Sequence, residues 1–161
     1  MENEWNGFLS EGMKSYKKAA MIMGAFFKNV QARLQAILEN RKEWGNFQPQ
    51  ETKAIRSTKY WDDYPYINAQ IHGTLYGEPS IIEMAVNWYE SKSDYPFYWV
   101  YINRPLSKFD EKIQKYSQNG RIRSYKNKYG NAGLILETDP EDFDLERDFN
   151  FLLEEFVKTV L

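Results

Sequence analysis

Apolar or small residues recur from Leu9 through Met13, Tyr16, Ala20, Met23, Phe27, Val30 and Leu34 to Ile37, at intervals that alternate four and three without a break. That spacing lays one narrow apolar stripe along an α-helix, the heptad pattern of a coiled-coil seam. No other feature limits the fold as much, because of the helix's length. Extended from about Trp5 to Trp44, it would run roughly 60 Å at about 1.5 Å per residue. A compact domain of this size has a radius of gyration of about 15 Å, hence a diameter of roughly 40 Å. Three outcomes remain. The helix breaks near Gly24, starts late with Gly7 and Gly12 in a frayed first turn, or overhangs its own domain and meets a second copy. We expect a kinked or shortened helix packed in cis, with a helix-mediated dimer as the alternative.

After the helix, residues 45–60 show no period and contain Gly45 and Pro49, which reads as a loop. The period then changes to two. In PYINAQIHGTL, Ile67, Ala69 and Ile71 alternate with Tyr66, Asn68, Gln70 and His72. SIIEMAVNWYE and YPFYWVYIN alternate in the same way, and the short turns YGEP and SKSD join the three runs into antiparallel hairpins. The third run is apolar or aromatic on both faces, as expected of a central strand covered on both sides. LSKFDEKIQKYSQ carries Leu106, Phe109, Ile113 and Tyr116 at helical spacing, and Asn119-Gly120 ends it. RIRSYKNK and AGLILETD read as two more strands around the turn YGN. Thr138-Asp139-Pro140-Glu141 has the makings of a helix start, ahead of Leu145, Phe149, Leu152 or Leu153, Phe156 and Val160. The expectation is one α+β domain over residues 1–161. It has a long N-terminal helix, an antiparallel sheet of about five strands, and a middle and a C-terminal helix packed on the sheet.

Composition narrows the chemistry. The chain has no cysteine, which excludes disulfides, thiolate metal sites and cysteine nucleophiles. His72 is the single imidazole, with no neighbouring Ser or Asp to make a relay. Asp62-Asp63 precedes the first strand without further ligands at metal-binding spacing, and no Gly-rich phosphate loop occurs. We expect no cofactor and no metal. The N-terminus lacks the basic and apolar regions of a signal peptide, and no apolar run reaches the roughly 20 residues of a membrane span. A cytoplasmic protein with no membrane partner is the expectation.

The order helix, three strands, helix, strand resembles the restriction-endonuclease-like core, which implies a metal-dependent nuclease with an Asp and an E-x-K triplet. Glu51-Thr52-Lys53, Asp110-Glu111-Lys112 and Glu90-Ser91-Lys92 satisfy the triplet, but triplets of this kind are expected by chance in so charged a chain. In that family the triplet lies on the strand leading into the second helix. Here that strand, YPFYWVYIN, carries neither acid nor Lys, and Glu90 and Lys92 sit at a hairpin tip. The topology resembles the family and the motif does not.

Two patterns remain. Residues 104–128 hold eight bases against two acids, and residues 137–161 hold nine acids against Arg147 and Lys158. Either the acidic helix screens the basic segment, or Arg121, Arg123, Tyr125, Lys126 and Lys128 form a stripe for a phosphate backbone. Residues 60–101 concentrate twelve aromatics, of which Tyr60, Trp61, Tyr64, Tyr66 and Tyr89 look surplus to one core. Their rigid bodies and polar tips suit a contact surface. The expected function is therefore a non-enzymatic binding or interaction module, engaging a protein partner or a second copy through these aromatics and the long helix. Nucleic-acid binding through residues 104–128 is the alternative, and a nuclease the last choice.

Overall fold

The computed structural model describes residues 2–49, 53–54, 66–87, 96–103, 111–116, 120–139 and 141–160, with the backbone alone at 2–9, 16, 20, 53, 54, 66, 67 and 160. Helix α1 runs unbroken over Glu2–Glu39. Neither Gly12 nor Gly24 interrupts it, so the expected break is absent. It overhangs instead. The first buried side chain described on it is Phe27, followed by Val30, Gln31, Leu34 and Leu38, whereas Met13 on the same stripe is 72% exposed. Among the described side chains of α1, only those of its C-terminal half pack on the sheet. Asn40 closes the helix by donating to the Ala36 carbonyl at 3.1 Å.

Among the described residues seven strands follow: β1 Trp44–Pro49, β2 Lys53–Ala54, β3 Tyr66–Leu75, β4 Glu78–Asn87, β5 Phe97–Ile102, β6 Ile122–Lys126 and β7 Ala132–Glu137. The sheet order is β1-β3-β4-β5-β7-β6, with β2 also paired to β3, and every pairing is antiparallel. Strands β1 and β2 correct the expected loop at residues 45–60, over Trp44–Pro49 and Lys53–Ala54. The β1 register shifts between Gly45 and Gln48, and Asn46 takes a left-handed φ of 48°. A bulge of this kind erases the alternation by which a strand is recognised. Pro49 is tolerated because β1 is an edge. Gln31 of α1 donates to the Gln70 carbonyl at 3.0 Å, between the residues of β3 paired to β1 and those paired to β2.

Of the expected middle helix, residues 111–113 are described as helical and Ile113 is buried. Tyr116 follows and donates to Glu155 at 3.0 Å. The last helix, α2 (Leu145–Val160), starts later than expected. Two Asp-led signals compete, and Asp144 wins the cap: its carboxylate accepts from Arg147 N at 2.9 Å and its carbonyl takes the first helical bond, from Asp148 N at 3.0 Å. Asp139 instead holds a tight turn, accepting from Glu141 N at 3.0 Å.

The core lies between the helices and one face of the sheet. Ile71, Ile82, Met84, Tyr98, Val100, Ile102, Leu134 and Leu136 face Phe27, Leu34, Leu38, Phe149, Leu152 and Phe156, all buried. Phe149 is the hub, with ring centroids 5.5 Å from Phe26, 5.9 Å from Phe27 and 5.8 Å from Tyr98. Among the described residues no helix is long and apolar enough to cross a membrane.

Candidate binding face of the sheet

Because side chains alternate along a strand, burying Tyr98, Val100 and Ile102 beneath the helices turns Phe97, Trp99 and Tyr101 to the opposite face. All three stay half-buried. Along β5 their rings meet edge to face, Phe97–Trp99 at 6.0 Å and Trp99–Tyr101 at 5.9 Å. β5 is therefore central, as expected, but its aromatic side keeps part of its surface open.

Tyr125 of β6 joins them from two strands away. Its ring stacks on Trp99 at 5.9 Å and 26°, and tilts against Tyr101 at 6.0 Å. What lets it reach is the residue between. Tyr101 pairs with Gly133, and Gly133 pairs with Tyr125, so one row reads Tyr-Gly-Tyr across three strands. A Cβ on Gly133 would stand 2.5 Å from Tyr101 Cα and 2.6 Å from Tyr101 Cβ, and would also strike the Val100 carbonyl. Gly133 is required for this close approach, and both tyrosine rings converge from either side of it.

Two charged groups on this face are held by close neighbours. Arg123 bonds Glu137, its near neighbour across β7. On the side toward β3, Gln70 donates to the Glu83 carboxylate at 2.5 Å, and His72 Nε2 lies 3.1 Å from Gln70 Oε1. Glu83 itself is only 6% exposed. On the helix-covered side, Arg121 reaches Asp148 of α2 at 2.8 Å, and Arg147 holds the same carboxylate at 3.1 Å. Asp148 is 1% exposed. The Tyr98 hydroxyl is buried nearby, and its ionisation is pushed far above the ordinary phenol range, first by burial and then by the charge of Asp148.

The basic stripe is thus taken apart by the fold. Arg121 turns to the acidic α2, Arg123 to Glu137, and Tyr125 into the aromatic cluster. Lys126 and Lys128 are exposed near the β6–β7 turn, with Lys128 5.1 Å over the Tyr129 ring. Of the expected contact aromatics, Tyr60, Trp61, Tyr64 and Tyr89 lie outside the described residues. The backbone of Tyr66 starts β3 in register with Asn87, which pairs in turn with Phe97. Glu90, Lys92 and Asp62-Asp63 also lie outside the described residues. Among the described residues no group of three His, Asp or Glu could hold a metal ion. The aromatic cluster was half visible in advance. The alternation in YPFYWVYIN marks Phe97, Trp99 and Tyr101 as one face, whereas nothing local says that Tyr125 belongs with them. The chain matches no protein-family model, no curated protein and no solved structure.

Proposed function

We propose that this chain is a non-enzymatic binding protein that engages a protein partner through the sheet face built by Phe97, Trp99, Tyr101 and Tyr125. The observation that carries the reading is the four-ring cluster, half-buried on the face of the sheet away from α1 and α2. Large rigid aromatics with polar tips supply contact energy at low entropic cost, and they concentrate where proteins meet. The paired charges around them support a partner that is not a polyanion, since Glu83 and Glu137 offset Arg123. Tyr66 pairs with Asn87 in the row that holds Phe97, and Tyr60, Trp61, Tyr64 and Tyr89 are proposed for the same contact on their sequence alone.

A second reading rests on the stacked Trp99–Tyr125 pair beside Arg123, a platform on which unpaired bases stack. One experiment separates the two. Tagged wild type and a Tyr125→Glu variant are compared by quantitative capture from lysate treated with nuclease, alongside titration with short single-stranded DNA and RNA at two salt concentrations. The proposal expects a protein retained by the wild type and lost by the variant, with no oligonucleotide response. Saturable oligonucleotide binding that weakens as salt rises favours the nucleic-acid reading. Equal capture by both proteins removes the sheet face from consideration.

A further inference from the structure

The apolar stripe of α1 does not stop where its own sheet ends. From Phe27 onward it is buried, and on the N-terminal side the same four-three spacing continues through Met23, Ala20, Tyr16, Met13 and Leu9. Met13, on that stripe, is 72% exposed. We propose that residues 2–26 of α1 pair with the same segment of a second copy as an antiparallel coiled coil centred between Lys14 and Ser15.

Four observations fix the partner and its direction. The first is the period, since only a second helix can use a seam that repeats every 3.5 residues. The second is length. With Leu9 opposite Ala20 and Met13 opposite Tyr16, Glu2 of one copy comes level with Phe27 of the other. There the seam passes beneath its own sheet. The apolar layers of the pair run from Leu9 to Ala20, about 18 Å at about 1.5 Å per residue, with Asn6 and Glu2 level with Met23 and Phe27, which pack on their own core. A parallel pair would instead bring both sheets into the seam at one level, where they collide.

The third is side-chain size. A parallel pair sets Tyr16 against Tyr16 and Ala20 against Ala20, a wide layer beside a narrow one. The antiparallel register spreads the bulk evenly and sets Gly12 opposite Ala19 on the flank. The positions of a Cβ on Gly12 or Gly24 meet nothing within 4 Å in the single chain, which leaves room for a close neighbour. The fourth is charge. Residues 2–11 carry Glu2, Glu4 and Glu11 and no base, whereas residues 14–28 carry Lys14, Lys17, Lys18 and Lys28 and no acid. Antiparallel pairing lays the acidic segment beside the basic one, and parallel pairing lays like on like. The dimer holds the two sheets at opposite ends of the rod. It is independent of the sheet-face contact, which lies on another surface.

The absence of cysteine makes the register directly measurable. Full-length Leu9→Cys, carrying a size tag, is mixed with untagged Ala20→Cys under mild oxidation. The mixed disulfide is expected to dominate. Like chains should not link, because two Leu9 positions lie about 16 Å apart along the axis, beyond the Cα separation of about 4.4–6.8 Å that a disulfide spans. Light scattering of the unmodified chain is expected to give twice 19.2 kDa. Met13→Glu should return it to the monomer mass, with its circular dichroism showing the sheet intact. Met21→Glu, exposed but off the seam, should remain dimeric. A monomeric wild type, a dimer that survives Met13→Glu, or disulfides between like chains would each overturn the proposal.

Discussion

Replacing Gly133 with Ala sets two opposed effects against each other, and the structure decides which wins. In a strand interior, Ala is favoured over Gly by about 0.5–1 kcal/mol, because the unfolded chain loses freedom and no left-handed φ is needed here. Against this, the new Cβ would sit 2.5 Å from Tyr101 Cα and against the Val100 carbonyl. Both are backbone of the central strand, so no rotamer change relieves the clash. Either β7 moves away from β5 or the Tyr101–Gly133–Tyr125 row opens. Overpacking that shifts backbone costs about 1–3 kcal/mol, and this case belongs at the upper end. The net loss is then about 2 kcal/mol, or a fall in Tm of about 4–8 °C for a chain of this length. Urea unfolding followed by circular dichroism gives the free energy, and tryptophan emission reports whether Trp99 still stacks on Tyr125. Gly24→Ala is the control. The same chemical change in an open helical position should stabilise by up to about 1 kcal/mol. If Gly133→Ala leaves Tm unchanged or raises it, the close approach of β5 and β7 is not what requires glycine, and the platform needs another cause.

Asp148→Asn should cost about 2–3 kcal/mol in urea unfolding, since a buried carboxylate loses two charge-assisted bonds, from Arg121 and Arg147. Arg121→Ala should cost less than half as much, because Arg147 still holds Asp148 and the Arg121 side chain is 44% exposed; equal losses would refute this ordering. Tyr98→Phe should be neutral or stabilising by up to about 1 kcal/mol, because it removes a buried hydroxyl for which no hydrogen-bond partner is described. A clear fall in Tm would show that hydroxyl to be bonded. The Lys158 ammonium holds the Glu155 carboxyl below the usual carboxylate pKa range, helped by the Tyr116 hydroxyl and opposed by burial. A depressed folded value means its contribution is present above the unfolded pKa of about 4.3 and is lost as pH falls through the folded one. Glu155→Gln should therefore lower Tm at pH 7, and the gap should close as pH falls through the depressed folded pKa, as thermal scans from neutral to acid pH would show.

What the sequence made legible follows one physical rule: patterns are readable when their partners are close along the chain. Strands β3, β4 and β5 alternate cleanly and are joined by short connections, so both their existence and their pairing could be anticipated. β1 could not, because the bulge at Gly45–Gln48 destroys the period of two, and what remained looked like a loop. The start of α2 was misplaced because Asp139 and Asp144 carry equivalent turn-forming side chains, and only the structure shows which one accepts from the helix. A long α1 was expected, but kinked or shortened, and it runs unbroken over Glu2–Glu39. Gly24 suggested a break, yet the backbone stays helical there.

The basic stretch shows why local reading fails most at candidate sites. In the chain, Arg121, Arg123 and Tyr125 form one alternating run beside Lys126 and Lys128, and alternation says they share a face. The partners that set their roles come from afar. Asp148 is 27 residues from Arg121, and Glu137 is 14 residues from Arg123. Tyr125 reaches Trp99 because β7, later in the chain, slots between β5 and β6, and because Gly133 keeps that strand thin. A stripe that would attract phosphates if it stood alone becomes two ion pairs and one wall of an aromatic platform. The charge excess of residues 104–128 is therefore a property of the segment, whereas the chemistry of the face is a property of the strand order.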